Sequence, residues 1–136
     1  MDLEQMLAPL QLVEAAGGSV SGRTKIQKLM FLVQEEGNSG KPFRYVAYDY
    51  GPYSKELQNT LNVLVDLNLM EEKPAQGRED STVYTYQITA PGRQFLAASA
   101  ADPKVVSRSA TVKKVAAWNK RKVDELIDYV YKTYPA

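Results

Sequence analysis

Residues 54–69, SKELQNTLNVLVDLNL, decide the fold that the sequence predicts. Ser54 is well suited to capping a helix, and the leucines after it recur at the spacing of a helix with one buried face. Polar side chains recur at helical spacing on the opposite face. They are Lys55, Gln58, Asn59, Asn62 and Asp66. We therefore expect a helix that seats its leucines in a core and turns an amide-rich face outward.

Two more helices are predicted before this one. The first covers residues 3–16, with Pro9 expected to kink it or to move its start later. The second runs from an N-cap at Ser21 to about Glu36. Between it and the amide-rich helix, residues 43–48 favour a short extended segment that ends in a Gly-Pro turn.

A change of hydrophobic period after Met70, from about 3.6 to 2, predicts a β-hairpin. Residues 71–73 form its weak first strand, residues 74–81 a polar loop and residues 83–88 a β-rich second strand. Thr89 is then placed to cap a short helix.

This order of elements predicts an α+β, mainly helical domain, a winged helix-turn-helix over residues 1–102. Residues 103–136 are expected to form a helical extension, broken near Asn119. The extension either packs on its own domain or forms a homodimer interface through the apolar face of its last helix. The residues of that face are Val123, Leu126, Ile127, Val130, Tyr131 and Tyr134.

The composition argues against most enzyme classes. The 136 residues include no cysteine and no histidine, which excludes thiol nucleophiles, Ser-His-Asp triads and metal sites built on these ligands. No glycine-rich phosphate loop is present. We therefore expect a protein that is not an enzyme and that uses no cofactor or metal.

Charge is unevenly distributed, although the formal net charge is only +1. Residues 103–122 carry seven basic side chains and no acidic one, whereas the rest of the chain carries ten basic and sixteen acidic residues. The basic segment either faces a polyanion or pairs with acidic neighbours. No apolar run is long enough for a membrane span, and the acidic start of the chain does not resemble a secretory signal, so a cytoplasmic location is expected.

Three segments resemble a known family. They are GRTKIQKL at residues 22–29 with Phe31 and Leu32, YDYGPYSKEL at residues 48–57, and YVYKTYP at residues 129–135. Together they are similar to the motifs of YwgA-like proteins. The first two also resemble, more loosely, phage-associated antitoxin-like domains of the Panacea type. The resemblance implies a prokaryotic winged-helix domain and little about its function.

The expected function is binding of double-stranded DNA, with the amide-rich helix reading the major groove of a regulatory site. Asn and Gln can bind adenine bidentately, and Lys can reach guanine or phosphate. Basic residues of the second helix and of the hairpin are expected to hold phosphates. The predicted DNA-binding residues are Arg23, Lys25, Lys28, Ser54, Lys55, Gln58, Asn59, Asn62, Lys73 and Arg78.

Four alternatives stay open at this stage. The amide face can be a merely solvated surface, and Arg23 can be structural, paired with Asp49 or a C-terminal carboxylate. The aromatic cluster at residues 43–53 favours core packing over stacking on single-stranded nucleic acid. The predicted hairpin is acidic, a poor match to a phosphate backbone, which favours a protein-interaction module of antitoxin or phage-defence type as the alternative function.

Overall fold

The computed structural model describes residues 1–49 and 51–135. Within them lie six α-helices and five short β-strands, so the predicted α+β, mainly helical class is confirmed. The helices are α1 (Leu3–Ala15), α2 (Arg23–Glu36), α3 (Lys55–Asp66), α4 (Ala90–Ala98), α5 (Pro103–Ala116) and α6 (Val123–Thr133). The strands are β1 (Ser19–Ser21), β2 (Val46–Tyr48), β3 (Gly51–Tyr53), β4 (Met70–Gln76) and β5 (Thr82–Ile88).

Helix α1 starts earlier than Pro9 suggested. The Asp2 carboxylate accepts a hydrogen bond from the backbone N–H of Gln5 at 2.9 Å, and the Gln5 side chain accepts one from the N–H of Asp2 at 3.2 Å. This reciprocal cap fixes the first turn. Pro9 is buried inside the helix. The predicted helix over residues 3–16 is confirmed, and of the two effects expected of Pro9 the later start is wrong, because capping at Asp2 stabilises the turn that precedes the proline.

The predicted N-cap at Ser21 is also wrong. Ser21 ends β1, a strand that the sequence analysis missed, and its hydroxyl lies 2.9 Å from that of Thr85 on β5. Gly22 takes the N-cap position of α2 with a φ of 106°, a conformation that favours glycine. Three residues are too few for a visible period-2 pattern, so β1 is defined by its pairing with β5.

The β4–β5 hairpin is longer than predicted. Its strands pair antiparallel from Met70 opposite Ile88 to Gln76 opposite Thr82, so the first three residues of the expected polar loop, 74–76, belong to β4. The sheet order is β1-β5-β4, which makes β4 an edge strand. Pro74 is tolerated there because an edge strand has one side without a hydrogen-bonding neighbour.

A second hairpin, β2–β3, lies between α2 and α3. Val46 pairs with Tyr53, Ala47 with Pro52 and Tyr48 with Gly51. We expected Pro52 in a turn, but it lies in β3. A proline fits a two-stranded hairpin at a position where its missing N–H faces away from the paired strand. This hairpin contacts both α2 and α6.

One hydrophobic core joins the helices, the three-stranded sheet and the C-terminal helices. Helix α5 packs on α1 and α2, and α6 packs on α2. The C-terminal helices contribute buried side chains to this core, namely Val112, Val115, Leu126 and Val130. Residues 103–135 therefore pack within their own chain. None of the helices in the described part of the chain combines the length and hydrophobicity needed to cross a membrane.

Candidate nucleic-acid interface

Helix α3 has the two faces that its sequence predicts. The Ser54 hydroxyl accepts a hydrogen bond from the N–H of Leu57 at 3.1 Å and caps the helix. Leu57, Leu61 and Leu64 are fully buried. On the opposite side, Lys55, Asn59, Asn62 and Asp66 are exposed and Gln58 is half-buried. The C-terminal helices do not cover this row.

Two glutamines of α2 hold the connection to α3 in place. Gln27 donates to the carbonyl of Ser54 at 2.9 Å and accepts from its N–H at 2.8 Å. Gln34 makes the same pair of bonds with the backbone of Phe43, at 3.0 and 2.8 Å. Both glutamines are buried. Sequence reasoning missed them, although two amides seven residues apart beside an apolar stripe are a signal for buried polar contacts.

Gln58 connects α3 to the sheet. Its side-chain N–H₂ group donates to the Tyr86 hydroxyl on β5 at 3.1 Å and to the Asn62 side-chain oxygen at 3.1 Å. The amide that the sequence assigned to base contact is therefore held by its own protein. Lys55, Asn59 and the donor group of Asn62 remain on the outer surface of this face.

Arg23 has a structural environment. Its guanidinium lies 3.3 Å from the Glu72 carboxylate on β4, donates to the Tyr86 hydroxyl at 3.3 Å and stacks 3.9 Å from the centre of the Tyr84 ring. These contacts tie α2 to the β4–β5 hairpin. The structural alternative is supported, but the expected partner, Asp49 or a C-terminal carboxylate, is wrong.

The other two basic residues of α2 also point into their own protein. Lys25 donates to the carbonyls of Asn119 and Arg121 at 3.1 and 2.9 Å. Lys28 is 3% exposed and donates to the carbonyl of Pro52 at 2.9 Å. Burial lowers the pKa of Lys28 to about 8.

The predicted phosphate contacts of Lys28 and Ser54 are therefore corrected. Ser54 is 0% exposed and Lys28 almost equally buried, so neither side chain can reach the backbone of a duplex. Their residue types suited the role, but the packing of the α2–α3 connection encloses both.

The β4–β5 hairpin is acidic, as its sequence indicated. Lys73 lies 3.4 Å from the Glu71 carboxylate, and both side chains are at least half exposed. Arg78 is exposed in the turn next to Glu79 and Asp80. The two basic residues predicted to hold phosphates thus lie beside carboxylates, which weakens any attraction to a polyanion.

The predicted dimer residues are divided between core and surface. Leu126 and Val130 are buried in the core of their own chain, and Tyr134 packs edge-on against Phe31 with ring centres 5.6 Å apart. Val123 and Ile127 are half-buried. Tyr131 is 47% exposed, and its hydroxyl donates to the carbonyl of Asp49 at 3.1 Å. A dimer through this helix cannot use Leu126 and Val130, because they already pack in cis.

Three of the seven basic residues in the segment 103–122 form ion pairs with acidic side chains. Arg108 lies 2.7 Å from Glu4, Lys114 lies 3.6 Å from Glu36, and Arg121 lies 2.6 Å from Glu125. Of the two interpretations of this segment, pairing with acidic neighbours describes these three residues.

The aromatic cluster is mixed. Phe43 is buried, and Tyr45 packs edge-on against Phe31 with its hydroxyl donating to the carbonyl of Gln27. Tyr48, by contrast, is 62% exposed. Core packing is thus correct for the first two but not for Tyr48, and Tyr50 lies outside the described residues. In residues 1–49 and 51–135, no group of three or more acidic side chains is placed to hold a metal ion.

Comparison with known sequences supports the predicted resemblance. The chain is 34% identical over 93 residues to the uncharacterised protein YwgA of Bacillus subtilis (strain 168). The chain is therefore similar to YwgA over this segment. The match covers 65% of this chain and 52% of YwgA, so the chain spans about half the length of this relative. No protein-family model matches the sequence.

Proposed function

We propose that this YwgA-like chain is a winged-helix protein that binds double-stranded DNA as a regulator, with α3 entering the major groove. The observation that carries the proposal is the division of α3 into a buried leucine face and an open face that includes Lys55, Asn59 and Asn62. A helix fits the width of the major groove, and these side chains can bind base edges there.

The topology supports the winged-helix assignment. The chain runs helix, strand, helix, helix and hairpin, and β1 pairs with β5, the second strand of the hairpin. Gln58 bonds to Tyr86, which anchors α3 against this sheet. The β4–β5 hairpin then takes the place of the wing. The α2–α3 connection contains an additional hairpin, β2–β3, where a simple helix-turn-helix has a short turn.

The test is selection of bound sequences from a random duplex pool, followed by affinity measurements at several salt concentrations. Asn59→Ala and Asn62→Ala are expected to weaken the selected duplex by about 1–3 kcal/mol each and non-specific DNA much less. Lys55→Ala is expected to weaken both and to lower the salt slope by about 0.9. Gln94→Ala, an exposed amide on α4, is the matched control and should change nothing.

Two outcomes would contradict the proposal. One is the absence of any enriched sequence. The other is a loss of affinity without specificity: Asn59→Ala weakens binding no more than Gln94→Ala does, or it weakens binding to all duplexes equally. Either result would mean that α3 does not read bases.

The acidity of the hairpin favours a second candidate, a protein-interaction module of antitoxin or phage-defence type. Glu71, Glu79 and Asp80 are exposed there. Such a surface suits a basic protein partner better than a phosphate backbone. Two results together would favour this candidate. A stable partner would co-purify with the wild type and be lost on Glu79→Lys, and the protein would not retain DNA at about 0.1 M salt.

A further inference from the structure

Lys28 is a buried cation without a buried counterion. Its side chain is 3% exposed, and no carboxylate of residues 1–49 or 51–135 lies within 4.0 Å of its ammonium. Arg108, which is equally buried, has Glu4 at 2.7 Å. Burying a charge without a partner is unfavourable, and proteins usually provide an opposite charge. Among the residues that the structure describes, Lys28 is therefore a buried cation that lacks the usual opposite charge.

The hydrogen bonds of Lys28 with the described residues do not use all of its donors. An ammonium group has three N–H donors, and the described residues accept one of them, at the carbonyl of Pro52. Gly51 allows the β2–β3 hairpin to approach this closely, because a Cβ at position 51 would lie 3.2 Å from the Lys28 Cε. The hairpin thus covers the Lys28 ammonium on the side of Gly51 and Pro52.

A cavity of about 210 Å³ lies beside this group, between α2, the β2–β3 hairpin and α3. It is large enough for several waters or for a small oxyanion. Its walls supply a second cation and hydroxyl groups, whereas the Gln58 amide already donates to Tyr86 and Asn62. The residues that line it with Lys28 include Arg23, Thr24, Tyr48, Tyr53 and Gln58. A tetrahedral oxyanion has enough acceptor oxygens to satisfy such a set of donors.

We propose that this cavity binds a small phosphate-bearing anion, held by the Lys28 ammonium with Arg23 at the edge of the site. The ligand supplies the negative charge that the protein does not place beside Lys28. Because Lys28 is inaccessible to a duplex backbone, the ligand is a free phosphate or a small phosphomonoester. This inference is independent of the proposed binding of DNA by α3.

The experiment measures binding of inorganic phosphate by calorimetry to the wild type, Lys28→Met and Lys113→Met. Methionine keeps the length and apolar stem of lysine, and removing a buried charge usually leaves a protein folded. We expect Lys28→Met to lose at least about tenfold in phosphate affinity, the size of one charge-assisted hydrogen bond. Lys113→Met, which removes an exposed lysine of α5, should bind as the wild type does.

A second measurement on the unmodified protein does not depend on any variant. An NMR titration follows the Lys28 side chain with and without phosphate. Bound phosphate should raise the pKa of Lys28 from about 8 toward its ordinary value of 10.5. No binding by the wild type, equal binding by the wild type and Lys28→Met, or an unchanged Lys28 pKa in saturating phosphate would each overturn the proposal.

Measuring the affinity of the same variants for duplex DNA distinguishes a free phosphate from a backbone phosphate as the ligand. Lys28→Met is expected to leave duplex affinity unchanged. If inorganic phosphate does not bind while Lys28→Met weakens duplex binding, the cavity receives a backbone phosphate, and the small-anion proposal is wrong. If phosphate binds as expected while no duplex is retained, this site stands and the proposed function of α3 fails alone.

Discussion

The guanidinium of Arg108 on α5 lies 2.7 Å from the carboxylate of Glu4 on α1, with only 2% of the Arg108 side chain exposed. This ion pair joins the start of the chain to the C-terminal extension. Burial lowers the pKa of Arg108 and the charge of Glu4 opposes that shift. The charge of Arg108 at this buried position is therefore stabilised by Glu4.

Replacement of Glu4 should be more damaging than replacement of both residues. Glu4→Gln leaves a buried guanidinium without a counterion, and we expect a loss of about 3 kcal/mol in the free energy of unfolding. The double variant Glu4→Gln, Arg108→Met should recover much of that loss, because no charge then remains buried. Denaturant unfolding of the two variants and the wild type measures the difference; a double variant as unstable as Glu4→Gln would contradict the argument.

Gln27 should control the position of α3. Gln27→Met removes two hydrogen bonds to the backbone of Ser54. The Ser54 N–H is then buried without this partner, whereas its carbonyl still accepts from the N–H of Gln58 at 3.2 Å. We expect a loss of about 1–3 kcal/mol in the free energy of unfolding, mainly from the unpaired N–H. Faster amide exchange over the first turn of α3 than over α1 would locate the effect. Uniform exchange across the protein would instead indicate a general loss of stability.

Lys28 should make the protein more stable as the pH rises from about 8 to 10. Its folded pKa is lowered by burial to about 8, against an ordinary value of 10.5, so the unfolded chain binds more protons in this range and stability increases with pH. The expected gain is on the order of 2 kcal/mol. Above about pH 10 the stability should fall with pH, because burial raises the pKa of Tyr45 and that of Tyr86 above the ordinary value of 10.0.

The matched variant Lys28→Met should abolish most of this rise. A smaller rise is expected to remain, because burial also lowers the pKa of Lys25. Denaturant midpoints between pH 7 and 10 compare the two proteins. Parallel pH profiles for the wild type and Lys28→Met would refute the assignment of the effect to this residue.

Leu126 should contribute to the folding of one chain rather than to an interface. Leu126→Ala removes a fully buried side chain from the core and is expected to cost about 2–5 kcal/mol. Because the contact lies within one chain, the loss should be the same at low and high protein concentration. Thermal unfolding over a wide concentration range tests this, since a midpoint that rises with concentration is the property of a dimer.

Local sequence patterns predicted those structural features that depend only on residues close together in the sequence. The leucine spacing and the Ser54 cap predicted α3 and its two faces, because one helix is enough to define which residues share a side. The β-rich run at residues 83–88 similarly predicted the second strand of the hairpin, observed as Thr82–Ile88. The three motif segments predicted the similarity to YwgA.

Only the tertiary structure decided which polar side chains are accessible. Arg23, Lys25 and Lys28 are similar in sequence, yet the first pairs with Glu72, the second bonds to carbonyls near residue 120 and the third is enclosed by the β2–β3 hairpin. Each partner lies at least 24 residues away. Strand β1 and the cis packing of α6 likewise depend on distant segments. Pairing and burial between such distant residues arise only when the whole chain folds, so a local hydrophobic period cannot predict them.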